Sequence, residues 1–246
     1  MSAAPLANFI VAGVQKGGTT ALHDYLTEHP HVTLANVKEV HFFDDESQDW
    51  AAPDYGAFHA HFPTERRAAC GEITPIYIYW PNSLERIAAY NPAMKIVVLL
   101  RDPVERAFSQ WRMEASRGAE THAFSWCIRQ GRARLFDAEP WGHHREFSYV
   151  ERGFYGEQIE RLFSVFPREQ TLILRSDALE LQAAPTLETI SAFLGVPPPP
   201  PLADRRVHVG AAIEGAELAA ENVTFLRGLY ERDMQRLQEL TGISFW

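Results

Sequence analysis

Thiols are scarce in this chain of 246 residues, which has two cysteines, Cys70 and Cys127. Neither has a CxxC partner, so nothing indicates a zinc site or a disulfide framework, and each reads as a buried free thiol. Long apolar runs are missing as well. No stretch approaches the roughly 20 residues that cross a bilayer, so no membrane span is expected. The start, Met1 to Asn8, lacks a basic region, and the apolar stretch Phe9–Val14 is too short for a signal-peptide core. The expected location is therefore the cytoplasm. Basic charge is in deficit: 32 Asp and Glu stand against 23 Lys and Arg, a formal net charge of −9. That balance argues against a nucleic-acid partner and disfavours a long polyanionic substrate. No histidine group, the His143–His144 pair included, has metal-ligand spacing, and no metal site is expected. There is no internal repeat.

What is present is an alternation of strands and helices. Asn8–Val14 and Val32–Leu34 read as strands, with a helix over Thr20–His29 between them that carries Ala21, Leu22, Tyr25 and Leu26 at helical spacing. Lys95–Leu100 (KIVVLL) is continuously apolar after its first residue, the pattern of a central parallel strand. Helices are predicted over Val104–Arg117, with Ala107, Phe108 and Trp111 on one side, and over Glu157–Phe166, followed by a strand at Thr171–Leu174. This order predicts an α/β fold, a P-loop-like parallel sheet flanked by helices, in a single domain over residues 1–246. Two segments break the rhythm. Thr121–Ser148, rich in Trp, His and Arg without periodicity, reads as a lid over an acceptor site, with Trp126 and Trp141 among its wall residues. Pro197–Pro201 is an extended linker to a long helix, Ala216–Thr241, whose apolar positions include Leu218, Phe225, Leu229 and Leu237.

The chemistry-bearing segment is Gly13-Val-Gln-Lys16-Gly17-Gly18-Thr19-Thr20, between a predicted strand and a predicted helix. Such a turn presents backbone N–H groups and a helix N-terminus to a phosphate. It is close to the nucleoside triphosphate loop G-x-x-x-x-G-K-[ST]. However, Thr19 occupies the lysine position and the lysine comes early, at Lys16. A cation there suits a shorter phosphate chain and its leaving oxygen. Arg101-Asp102-Pro103 ends the strongest strand, where ligands gather in open α/β sheets, and Ser109 follows on the next helix. An arginine fork with a serine hydroxyl makes a phosphate clamp, although Arg101 equally suits a pair with Asp102 or Glu105. Glu39, beside Lys38, reads on its own as a surface pair.

These residues resemble a family. VQKGGTTAL is similar to the 5′-phosphosulfate loop of sulfotransferases, and VVLLRDPVERAFSQW to their 3′-phosphate motif, in the expected order. KEVHFFD, over Lys38–Asp44, resembles the Glu-containing segment of the heparan sulfate branch, especially the glucosamine 3-O-sulfotransferases and also the N-sulfotransferases. GEITPIY (Gly71–Tyr77) is similar to a strand-and-turn of that branch. RGFYGEQIERLFSVFP and LTGISFW resemble the later half of bacterial members. The resemblance implies 3′-phosphoadenosine 5′-phosphosulfate (PAPS) as co-substrate and sulfonate transfer to a hydroxyl or amine of a small-molecule or carbohydrate acceptor, in line and without metal. It implies that Lys16, Gly17, Gly18, Thr19 and Thr20 hold the 5′-phosphosulfate and that Arg101 and Ser109 hold the 3′-phosphate. It also implies Lys16, Glu39 and His41 as catalytic residues, Glu39 as the base, with Asp44 in support. A last cofactor loop falls at Arg205–Gly210, with Arg205, Arg206 and His208, though Ala211 and Ala212 depart from the family pattern there. Two other readings compete: a P-loop-type small-molecule kinase, in which Asp102 would be the Walker B acid, and a binding module that performs no chemistry.

Overall fold

A computed structural model describes residues 6–136, 138, 142–200 and 217–246. The chain divides into two compact units, residues 1–100 with 162–208 and residues 101–161 with 209–246. The first unit is built on five strands: β1 (Phe9–Gly13), β2 (Val32–Leu34), β3 (Ala69–Ile73), β4 (Lys95–Leu100) and β5 (Thr171–Arg175). All pair in parallel, in the order β2-β3-β1-β4-β5. Its helices are α1 (Thr19–Thr27), the short α2 (Tyr55–His59) and α3 (Ser83–Tyr90), and later α7 (Ser176–Leu181) and α8 (Ala183–Leu194). The second unit carries α4 (Pro103–Ser116), α5 (Phe124–Cys127) and α9 (Ala220–Thr241), while α6 (Tyr155–Val165) runs across the division.

Side chains alternate between the two faces of a strand. Phe9 and Val11 of β1, Ile73 of β3 and Val97 and Leu99 of β4 therefore share one face. They form a buried core with Leu22, Tyr25 and Leu26 of α1, Leu179 of α7 and Leu187, Ile190 and Leu194 of α8. Ile10, Glu72, Ile96 and Val98, all buried, take the other face by the same register. Helix α8 ends at Gly195 in the left-handed region (φ 79°), and Lys95 Nζ donates to the Phe193 carbonyl at 2.7 Å, a cation on the negative end of the helix.

The structure moves several predicted boundaries and adds detail to two helix faces. On α4, Pro103, Val104, Arg106, Ala107, Gln110 and Glu114 are buried, whereas Phe108 and Trp111 are half-buried. Arg106 is fully buried because its guanidinium donates to Gln110 Oε1 at 2.8 Å and to the Tyr149 carbonyl. Gln110 Nε2 reaches the Glu146 carbonyl at 2.9 Å. Polar groups thus share the buried side of the helix, although Arg106 Nε has no hydrogen-bond partner among the described residues. The helix expected over Ala216–Thr241 starts at Ala220 and buries Asn222, Leu226, Tyr230, Met234 and Leu237. Leu229, one of the apolar positions of the sequence, is 42% exposed.

The segment Thr121–Ser148 is tied to the second unit by a buried acid. Glu120 accepts from Arg134 at 2.6 Å and from the Tyr149 hydroxyl at 3.0 Å. Its aromatic residues divide. Phe124 packs on Phe108 and Trp111, while Trp126 stacks on His122 and, like Phe136, stays exposed. Trp141 lies outside the described residues.

Glycines 17 and 18 serve the β1–α1 turn for different physical reasons. A Cβ on Gly17 would sit 2.5 Å from the Leu99 carbonyl oxygen and 2.9 Å from that of Val14. A Cβ on Gly18 meets only Ser176, at 3.9 Å, but its φ of 84° is left-handed. Gly17→Ala is thus expected to destabilise by about 1–3 kcal/mol through overpacking, and Gly18→Ala by about 1–2 kcal/mol through backbone strain. Chemical denaturation checks both, and equal, negligible losses would contradict the packing.

Candidate active site

The parallel sheet gathers the candidate residues of the first unit. Strands β1 and β3 pair with Val11 opposite Ile73, so the chain leaves both at the same edge of the sheet. Beyond β1 comes the Gly-rich turn. Val14 N–H donates to the Leu99 carbonyl at 3.0 Å and Gly17 N–H to the Val14 carbonyl at 2.9 Å. The Gly17 N–H is therefore spent inside the turn, and Gly17 contributes space. Lys16, half-buried, has φ 69°. Gly18 is the N-cap of α1, and that helix has no acid in its first turn. Its leading N–H groups have no intrahelical acceptor, and the helix dipole favours an anion there. Thr19 is buried and Thr20 exposed, so of the two hydroxyls Thr20 is the one at the surface.

Beyond β3, Thr74 N–H donates to the Val11 carbonyl and Ile78 N–H to that of Ala12. The segment Lys38–Asp44 is laid against this edge by Glu39 N–H, which donates to the Ile73 carbonyl at 3.1 Å. Its backbone is further held by hydroxyl oxygens: Tyr77 accepts from Phe42 at 3.1 Å and Phe43 at 3.3 Å, and Thr74 accepts a long 3.5 Å contact from His41. Phe42 and Phe43 are buried in an aromatic cluster with Trp50, Tyr55, Phe58, Tyr77 and Tyr90. The hydroxyl supports were not seen in the sequence, because neither Thr74 nor Tyr77 lies near Glu39 in it.

On this scaffold the side chains form a row of alternating charge. Lys38 Nζ lies 2.6 Å from Glu39 Oε1, Glu39 Oε2 is 3.5 Å from His41 Nε2, and His41 Nδ1 is 2.9 Å from Asp44 Oδ2. Asp44 is fully buried, while His41 is 44% exposed at its side chain. Burial alone would raise the Glu39 pKa, but hydrogen bonds from His41 and Lys38 outweigh it and hold the carboxyl at about 2. His41 is pushed up to about 9, first by its hydrogen bond to Asp44 and then by Glu39, against its own desolvation. The imidazole is thus a cation at neutral pH. Lys16, Glu39 and His41, the residues expected to be catalytic, all have positive φ, shared among the described non-glycine residues only with Asn82. Left-handed backbone costs energy in such residues and clusters at functional sites.

Arg101 and Ser109 belong to the second unit. Arg101 pairs with Glu105 across one helical turn at 3.1 Å, both side chains exposed, an arrangement worth little in water. Asp102 instead caps α4, its Oδ1 accepting from Val104 and Glu105 at 2.9 and 3.0 Å. That capping role explains the aspartate without a Walker B metal ligand. Ser109 is half-buried on α4. Arg205, Arg206 and His208 lie outside the described residues.

Comparison with known proteins identifies the family. The profile of the sulfotransferase domain matches residues 6–208. Heparan sulfate glucosamine 3-O-sulfotransferase 5 of human and of mouse is 28% identical over 193 residues, 78% of this chain and 54% of theirs. Mouse heparan sulfate glucosamine 3-O-sulfotransferase 3B1 is 31% identical over 193 residues, covering 78% of this chain and 46% of its own. The chain thus spans about half the length of these curated relatives. A sulfotransferase from Alicyclobacillus acidocaldarius has the same fold, with a TM-score of 0.82 and 24% identity over 98% of this chain and 97% of that one.

The charge row carries a pH signature. His41 has a folded-state pKa of about 9 against an ordinary 6.5, so its stabilising contribution is complete below 6.5 and disappears as pH rises through about 9. The melting-temperature difference between the wild type and His41→Asn should therefore be largest below pH 6.5 and narrow above pH 9. A difference that does not change over this range would mean that His41 is not charged in the fold.

Proposed function

Since the chain belongs to the sulfotransferase domain family, we propose that it transfers the sulfonate of PAPS to a hydroxyl or amine of an acceptor. The observation that carries the proposal is the Lys38–Glu39–His41–Asp44 row, set at the same sheet edge as the phosphate turn. Such transfer demands positioning and charge stabilisation more than covalent work by the protein. The turn from Lys16 to Thr20 holds the 5′-phosphosulfate, and Lys16 stabilises charge that builds on the bridging oxygen as the bisphosphate leaves. Arg101, released from its weak surface pair with Glu105, and Ser109 hold the 3′-phosphate. The reaction needs no metal, because the transferring sulfonate carries less charge than a phosphoryl group and Thr19 stands where a triphosphate loop has its lysine.

Glu39 is the general base. At a pKa of about 2 it is always ionised in the resting protein but is a weak proton acceptor. An acceptor hydroxyl at Oε1 takes the place of the Lys38 ammonium, and withdrawal of that cation returns the carboxylate toward ordinary basicity. His41, fixed by buried Asp44, keeps the other oxygen oriented. The net charge of −9 favours a small, neutral or modestly charged acceptor, a sugar hydroxyl included, over a long sulfated polysaccharide. Exposed Trp126 and Phe136 in Thr121–Ser148 are suited to line the acceptor wall. Among the described residues no helix is long and apolar enough to cross a membrane. Two buried free thiols support a reducing, cytoplasmic setting.

Two measurements test the reading. Adenosine 3′,5′-bisphosphate should bind in calorimetry without added metal and raise the melting temperature. Arg101→Ala should weaken it more than it weakens the 5′-monophosphate. Binding only of ATP with magnesium would restore the kinase reading. Glu39→Gln should leave bisphosphate affinity intact while turnover falls by about 10² or more. Turnover within a few-fold of wild type would place the base elsewhere.

A further inference from the structure

Beneath the charge row lies a carboxyl that the mechanism above does not use. Glu72 is the fourth of the five residues of β3, opposite Ile10 of β1, and is 1% exposed. An acid on the apolar face of a central parallel strand is costly unless it is bonded. Its Oε2 accepts the Thr74 hydroxyl at 2.7 Å, and the Tyr77 hydroxyl, which already accepts from Phe42 and Phe43, lies near enough to the same carboxyl to help hold its pKa down. Oε1 has no hydrogen-bond partner among the described residues. The two hydroxyls also neighbour each other. Each has one proton to give and lone pairs to receive with. Because the proton goes to Glu72, the lone pairs are left facing the segment that bears Glu39 and His41, where they meet the N–H groups of His41, Phe42 and Phe43.

We propose that Glu72 is a positioning residue for the active site: by accepting the Thr74 and Tyr77 hydroxyl protons, it makes both oxygens acceptors for the Lys38–Asp44 backbone and so sets the placement of Glu39 and His41. Without an acceptor at this point, either hydroxyl is free to turn its proton toward the segment, where an N–H already points. Donor would then face donor, and the turn with left-handed Glu39 and His41 would lose the bonds that hold it in a strained conformation. Two further ionisable groups face the carboxyl, Asp44 and His41. Burial first, and Asp44 after it, raise the Glu72 pKa to about 7 against the hydrogen bonds of Thr74 and Tyr77 and the cationic His41. The service required is acceptance, which a neutral carbonyl oxygen also supplies. Glutamine should therefore substitute and leucine should not.

The inference rests on the proposed role of the Glu39–His41 row, but its test needs no acceptor. The His41 ring is titrated by NMR in the wild type, Glu72→Gln, Glu72→Leu and Tyr77→Phe, and affinity for adenosine 3′,5′-bisphosphate is measured in parallel. We expect His41 near 9 in the wild type and within about half a unit of that value in Glu72→Gln. In Glu72→Leu and Tyr77→Phe it should fall by a unit or more toward 6.5, as the imidazole leaves Asp44 and Glu39, roughly tenfold in the acid constant per unit. Bisphosphate affinity should stay within about twofold throughout, since the phosphate turn leaves β1 and not β3. His41 titrating as in the wild type in both Glu72→Leu and Tyr77→Phe would overturn the proposal, as would Glu72→Gln shifting as far as Glu72→Leu. If Glu72→Leu fails to fold by near-ultraviolet circular dichroism, Glu72→Ala, smaller and equally unable to accept a proton, is titrated in its place, and a wild-type His41 value there overturns the proposal. A wild type that binds no bisphosphate would defeat the sulfotransferase reading while leaving the His41 result legible.

Discussion

Phe9, Ile10 and Val11 of β1 pair with Gly71, Glu72 and Ile73 of β3 on one side and with Lys95, Ile96 and Val97 of β4 on the other. Because all of these strands run in parallel, their carboxyl ends lie at one edge, and whatever follows them in sequence begins there. The Gly-rich turn follows β1, and the Thr74–Tyr77 support follows β3. Strand order reverses between β1 and β4, the point at which open α/β sheets bind their ligands. Small residues make the close approach possible: Gly71 leaves no room for a Cβ against Phe9, nor Gly13 against Ile78. The pairing is therefore a constraint on chemistry as much as on folding.

The segment Lys38–Asp44 combines a costly backbone with a rigid foundation. Two of its residues have left-handed φ, and its charges alternate along a row within hydrogen-bond or ion-pair distance. Alternation lets each cation sit beside an anion, so the row is stable with Glu39 ionised. The strain is offset by the apolar residues of the same segment, Phe42 and Phe43, which are sunk in an aromatic cluster. The order of residues in KEVHFFD thus divides the labour: the early residues are presented at the surface and the late ones anchor.

The sequence discloses what depends on short spacing. KIVVLL delimits β4 to the residue, and the Gly-rich turn is placed between its strand and helix, because continuous apolarity and glycine clusters are local signals. Helix α3, with Ser83, Leu84, Ile87 and Tyr90 buried, and the α7–α8 pair were not anticipated, since short amphipathic stretches among polar residues carry weak periodicity. The buried polar residues of α4 were not anticipated, because Arg106, Gln110 and Glu114 look like solvent residues until Tyr149 and Glu146 are brought beside them. Glu39, His41 and Asp44 were legible through family resemblance and not through residue pattern. Glu72 was legible in neither way, as an acid within a strand gives no hint of which hydroxyls it will meet.

The described placement of the lysines has a practical consequence. The chain has three: Lys16 in the phosphate turn, Lys38 on Glu39, and Lys95 on the carbonyl end of α8. Elsewhere the positive charge is carried by guanidinium groups. Primary amines are thus confined to the phosphate turn, the charge row, one structural cap and the chain terminus, and there is no population of expendable surface lysines. Amine-directed dyes, acylating agents and coupling resins, which on most proteins decorate many bystander side chains, would here find few targets, two of them in the Gly-rich turn and the charge row. Attachment for biophysical work is better directed to an introduced thiol, because Cys70 and Cys127 are both buried.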